Sequence, residues 1–245
     1  MLQMLSILTA VSMAQNHRDW QQVLDNYRSE TARVHYEKIA RDNATDRYIH
    51  ALATHTEPTE KHEQLAFWIN AYNAITVKLV ADHWPIGSIK EIDNGQVWDR
   101  RTFTVANQQL TLNEIERKKL LPLGDPRVHV ALNCASLGCP PLYKEAFLAK
   151  TIEQQLHDAT TSWVASTAIQ TDTANQQLQM SMIFDWYAAD FDVSDERTLS
   201  GVKSKLQGPV KWVSQYTSPS QRDWLLKGNY TISFLPYSWA INSPD

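Results

Sequence analysis

Residues 65–85 read LAFWINAYNAITVKLVADHWP, and the fold turns on them. Apolar side chains fall on nearly every face at helical spacing, and Pro85 after Trp84 closes the run. A helix that is apolar all round is buried on most faces. The spacing therefore predicts a central helix over residues 63–83. Two polar side chains interrupt it: Asn70 and Asn73 lie three apart, hence on nearly the same side. A buried amide without partners costs about 1–3 kcal/mol. Each must either pin a loop backbone or line a polar pocket.

Working outward, the stretch 19–53 is helical, with Trp20, Val23, Leu24 and Tyr27 at helix spacing. Two shorter helical pieces follow around Val34–Ile39 and Tyr48–Leu52. Downstream, GQVWDRRTFTVANQQLTL (95–112) gives a hairpin signal, with Trp98, Phe103 and Val105 before the turn ANQQ and Leu110 and Leu112 after it. Thr111 or Asn113 then caps a helix LNEIERKKLL that ends at Pro122. DPRVHVALN (125–133), apolar at Val128, Val130, Ala131 and Leu132, reads as an interior strand packed on the central helix. Beyond it lie an amphipathic helix over 151–166, two strands about a polar turn in 168–184, and a short aromatic helix or turn in IFDWYAADF. Closing helices within 199–216 and 218–228 precede a last strand in 230–242. No linker, repeat or low-complexity tract separates these pieces. They predict an α+β chain, a single helix-rich domain over 15–245 with a small, mainly antiparallel sheet.

Composition narrows the function classes. The chain has 245 residues, 43% of them hydrophobic, with a formal net charge of −4. That length buries a substantial core. No run of Lys or Arg supplies the basic footprint of a nucleic-acid binder, so nucleic acid is not an expected partner. The start, MLQMLSILTAVSMAQ, carries an apolar run and then Ser12-Met13-Ala14. Residues 1–14 read as a signal-peptide remnant lacking its basic n-region, or as a first helix with Leu2, Leu5, Ile7 and Leu8 on one side. The first reading makes the protein exported or periplasmic, and the second cytoplasmic. Neither this run nor any other is long and apolar enough to predict a membrane span.

Four blocks carry a family resemblance: LAFWINAYNAITV, DPRVHVALNCASLGCPPLYKEAF, SMIFDWYAADF and ISFLPYSWAIN, in this order. Together they resemble the family called domain of unknown function 547 over nearly the whole chain after Trp20. The resemblance brings no established activity. It implies a shared domain found in many exported bacterial proteins, with likeness to papain-type or transglutaminase-type thiol enzymes. Where the family pattern often reads Ile-Glu-His after the hairpin, this chain reads Ile115-Glu116-Arg117.

The candidate chemistry centres on VHVALNCASLGCPPL (128–142), which holds both cysteines. Cys134 and Cys139 form a disulfide closing a short loop, or one is a functional thiol, or both are inert. Export raises the disulfide reading, and so short a loop contributes roughly 2 kcal/mol. A nucleophilic Cys134 needs a base. His129 is nearest in sequence, yet on a strand positions 129 and 134 face opposite sides. A bulge, or a strand ending before Asn133, is required to bring them together. His157 is the sole later histidine and reads as a solvated helix position beside Gln155 and Asp158.

Glu116 is a base, an orienting carboxylate for His129, or a partner of Arg127. The candidate catalytic set is thus Cys134, His129 and Glu116. The candidate binding set is Asn70, Asn73, Asn133, Ser136 and Cys139, walled by Trp68, Trp98, Trp186 or Tyr187. Two Cys and one His at this spacing do not make a zinc site, and no phosphate loop, Gly-x-Ser-x-Gly or His-Glu-x-x-His occurs. No metal or cofactor is expected. Two functions fit: an exported thiol-dependent hydrolase or acyl transferase acting on a peptide or amide, and a non-catalytic module that binds a peptide or small molecule, with a structural disulfide.

Overall fold

A computed structural model describes residues 17–244. Residues 1–14, read as a signal-peptide remnant or a first helix, lie outside the described residues. The contacts gather into two compact units, one running to Gln155 and resuming at Trp239, the other spanning Leu156–Ser238. The division falls inside a continuous helix, which is why no linker sequence marks it.

The first unit opens with α1 (Arg18–Tyr27), α2 (Tyr36–Ile39) and α3 (Ala44–Ala53), followed by α4 (Lys61–Asp82), the expected central helix. Every side chain from Leu65 to Val77 on α4 is buried. It packs against α2 and α3 and, on another side, against a π-helical turn at Ile115–Leu120. Next come α5 (Val97–Arg100) and the hairpin β1 (Phe103–Val105) and β2 (Gln108–Leu110). Its turn, Ala106–Asn107, has φ of +50° and +60°, the mirror-image turn whose twist suits a two-residue hairpin. The turn also serves α3: the N–H groups of Ala106 and Asn107 donate to the carbonyls of Leu52 and Ala53, both at 2.8 Å. Those carbonyls lie in the last turn of the helix, where i→i+4 donors run out; the Leu52 carbonyl also accepts the His55 N–H at 3.3 Å. Trp98, read as part of the hairpin, sits instead on α5.

α6 (Leu112–Glu114) starts at a reciprocal cap. The Glu114 N–H donates to Thr111 Oγ1 at 3.1 Å, and the Thr111 N–H donates to Glu114 Oε2 at 3.0 Å. The helix then widens into the π turn that carries Glu116.

Residues 128–131 correct the sequence reading. They form not a strand but a short helix, α7 (Val128–Ala131), and the chain turns extended at Leu132. The cause is local. Gly124 ends the preceding turn at φ +69°, and Asp125-Pro126 starts a new one. The Asp125 carboxylate accepts the Arg127 N–H at 3.0 Å, and its carbonyl accepts the Val128 N–H at 3.1 Å. An Asp side chain that accepts the N–H two residues on, followed by Pro, opens a turn, and this turn leads into the helix and outweighs the β-branched residues behind it. The strand-parity objection to His129 therefore falls away.

α8 (Ile152–Trp163) carries the chain into the second unit. There β3 (Ile169–Asp172) pairs antiparallel with β4 (Gln177–Met180), and β4 pairs parallel with β5 (Thr231–Phe234). Between β4 and β5 lie α9 (Ile183–Trp186), α10 (Ser204–Ser214) and α11 (Pro219–Lys227). Its core is aromatic: Phe184 contacts Trp163, Phe191 and Trp212 within 4.9–6.1 Å, centroid to centroid. With small sheets among many helices, the chain is α+β and helix-rich.

Candidate active site

The site residues of the first unit hang from α4 through side-chain amides. Asn70, fully buried, donates its Nδ2 to the Phe147 carbonyl at 2.8 Å and accepts the Phe147 N–H at 2.9 Å. One turn on, Asn73 donates Nδ2 to the Ala131 carbonyl at 2.9 Å and accepts the Asn133 N–H, also at 2.9 Å. Each amide acts as a strand would, offering one donor and one acceptor to an extended segment. Asn73 thus grips the chain on both sides of Leu132, where α7 ends and the cysteine loop begins. Pinning backbone, one of the two readings open for these residues, is what both do here.

Asn133 repeats the device one step further out. Its Nδ2 donates to the Pro140 carbonyl at 2.9 Å, and its Oδ1 accepts from the Ala135 N–H at 3.0 Å and from Asn242 Nδ2 at 3.2 Å. Asn242 in turn donates its N–H to the Ala135 carbonyl at 3.1 Å and accepts the Tyr36 hydroxyl at 2.5 Å. Burial raises the Tyr36 pKa well above the ordinary phenol value, opposed by this hydrogen bond, so Tyr36 stays a donor. Within this frame Cys134 and Cys139 are bonded to each other, and neither thiol is free. The Cys134 N–H points at Cys139 Sγ, 3.1 Å away, and Ser136 Oγ lies 3.6 Å from Cys134 Sγ.

Glu116 and His129 meet. Both are buried, at 6% and 5% exposure, with Oε1 and Nδ1 4.0 Å apart. That spacing is ion-pair range and too long for a direct hydrogen bond. The π turn supplies the carboxylate and α7 the imidazole; π turns recur at functional sites. Glu116 thus lies beside His129. Arg127 is instead clasped by Asp125 at 2.6 Å and Glu153 at 2.7 Å, and hydrogen bonding to Asp125 holds its guanidinium above its ordinary pKa. Arg117 is exposed on the outside of the π turn.

The aromatic walls scatter. Trp68 is buried beneath Lys119, whose Nζ lies 5.1 Å from the ring centre. Trp98 packs edge-on against Trp239. Trp186 and Tyr187 belong to the second unit, where Trp186 is 46% exposed and lies 4.9 Å from Tyr237. Among the described residues no cluster of three His, Cys, Asp or Glu side chains is placed to hold a metal, and no helix is long and apolar enough to cross a membrane.

Sequence reasoning missed three members of the amide frame. Asn242 and Tyr36 complete the Asn133 network. Gln155 holds the segment that Asn70 holds, donating to the Ala146 carbonyl at 3.0 Å and accepting the Leu148 N–H at 2.9 Å. The one available signal was Gln155 on an amphipathic helix, which the sequence places only as a neighbour of His157.

This frame, with its Glu–His pair, lies largely where a known family is recognised. Residues 56–164 match the family described as Protein of unknown function, DUF547. The DUF547 match takes in α4, Glu116, His129 and both cysteines. It leaves the blocks SMIFDWYAADF and ISFLPYSWAIN, and with them Asn242, outside. No curated protein and no solved structure matches the chain.

Proposed function

We propose that the protein is an exported thiol-dependent hydrolase or acyl transferase acting on a peptide or amide. Cys134 is its nucleophile once the bond to Cys139 is reduced, His129 its base, and Glu116 the carboxylate that steadies the imidazolium. The buried Glu116–His129 pair carries this reading. A carboxylate beside a buried imidazole stabilises the charge that appears when a nucleophile gives up its proton. The helical form of 128–131 supports it further, because alternation along a strand no longer sets His129 away from Cys134. In this reading Asn73 and Asn133 position the catalytic segment.

The competing reading is a module that binds a peptide or small molecule and keeps the disulfide as a permanent clasp. The bonded sulfurs and the commitment of Asn70 and Asn73 to backbone favour it. Alkylation rates measured against pH separate the two. In Cys139→Ser the Cys134 thiol is free, and the hydrolase reading expects it to titrate below the ordinary value of about 8.5. Adding His129→Gln or Glu116→Gln should raise that midpoint. Three identical profiles at the ordinary thiol value would leave the binding module standing.

A further inference from the structure

The loop between the cysteines is closed twice. Asn133 Nδ2 bonds Pro140 O at 2.9 Å, joining the residues that flank the disulfide, independently of the sulfurs. The loop is also tied along its length: Ser136 bridges Ile241, the Leu137 N–H donates to Ala240 O at 2.8 Å, and Asn242 donates to Ala135 O at 3.1 Å. A covalent bond across a loop already shaped by hydrogen bonds can open without the loop losing its form. Both cysteines are half-buried and Leu137 at the tip is exposed, so a small reagent has access.

The two sulfurs also differ. Cys139 Sγ receives the Cys134 main-chain N–H at 3.1 Å. An N–H donor favours a thiolate over a thiol, and the sulfur that better carries negative charge is the better leaving group. Cys134 Sγ has the Ser136 hydroxyl at the longer distance of 3.6 Å.

We infer that Cys134–Cys139 is a reversible exchange site for small-molecule thiols, at which the incoming sulfur attaches to Cys134 and Cys139 departs. An external thiolate attacks Cys134 Sγ; a new S–S bond forms there, the Cys134–Cys139 bond breaks, and its electron pair leaves on Cys139. A second external thiolate attacks the added sulfur, releasing the external disulfide and leaving Cys134 as thiolate. The external thiol is oxidised, the protein pair is reduced, and each protein thiolate takes a proton from water according to its pKa. Running backwards, Cys139 clears any adduct from Cys134. This goes beyond the hydrolase reading, because exchange requires neither His129 nor an amide substrate.

The native protein is exposed to limiting reduced glutathione, quenched with N-ethylmaleimide, and the adducts are localised by fragment-ion mass spectrometry. Glutathione on Cys134 with maleimide on Cys139 should exceed the reverse pattern severalfold, the direction that the better leaving group sets. Oxidised glutathione should then restore the internal bond. Equal or reversed adducts would overturn the assignment of roles, and adducts that form only in denaturant would overturn exchange itself. Failure of the hydrolase reading shows elsewhere, in a Cys139→Ser alkylation profile indifferent to His129.

Discussion

Asn73 stands between α4 and the junction of α7 with the cysteine loop, and its two bonds replace a strand pairing that this region lacks. Asn73→Ala strands the Ala131 carbonyl and the Asn133 N–H, both buried. Denaturant melts should show a loss of about 1–3 kcal/mol, with a similar loss for Asn70→Ala; unchanged midpoints would contradict the pinning role. That one of two roles fell to these amides was legible from the sequence, because polar residues in an apolar helix must be satisfied. Their partners were not. Asn242 meets Tyr36 from 206 positions away and Asn133 from 109, and no local pattern encodes such pairs.

His17 gives a second test at this scale. Its ring is buried against the Tyr48 hydroxyl at 2.7 Å. Desolvation, then the electrostatic influence of His55, lower its pKa from 6.5 to about 4. The unfolded chain binds this proton and the folded one does not, so the contribution is complete above pH 6.5 and is lost as pH falls towards 4. The loss amounts to roughly 3 kcal/mol. Stability curves of wild type and His17→Gln should diverge in that window; parallel curves would refute the assignment.

Among elements, α4 and the hairpin were legible because their signals are local: unbroken apolar spacing in one, a polar turn between alternating residues in the other. α7 was not, because Val128-His129-Val130 suggests a strand while Asp125-Pro126 opens a turn that leads into a helix. Four residues are too few for periodicity to decide, so the start signal won. The reciprocal cap on α6 places the turn that carries Glu116. Thr111→Ala should cost about 1 kcal/mol in a thermal or denaturant melt. α4 also holds a polar group with no partner: Thr76 Oγ1 is fully buried and unbonded. Thr76→Val keeps the shape and removes the unmet hydroxyl, so its melting point should stay level or rise. A marked fall would reveal a partner for that oxygen.

At the level of the whole molecule, the sequence showed helices outnumbering strands but not the grouping of contacts into two units, since the division lies within α8. The final block, read as one strand, splits: Thr231–Phe234 joins the sheet of the second unit, and Ile241 bridges Ser136 in the first. That bridge frames the cysteine loop from the far end of the chain. If hydrogen bonds rather than sulfur hold the loop, reducing the disulfide should remove no more than the roughly 2 kcal/mol of loop closure. Amide hydrogen exchange of the native protein, with and without reductant, tests this most directly. The N–H groups of Ala135, Leu137 and Asn242, each bonded within the frame, should keep their protection when the disulfide opens. Loss of protection at all three on reduction would show that the disulfide is the clasp, and that Cys134 is not released from an intact loop.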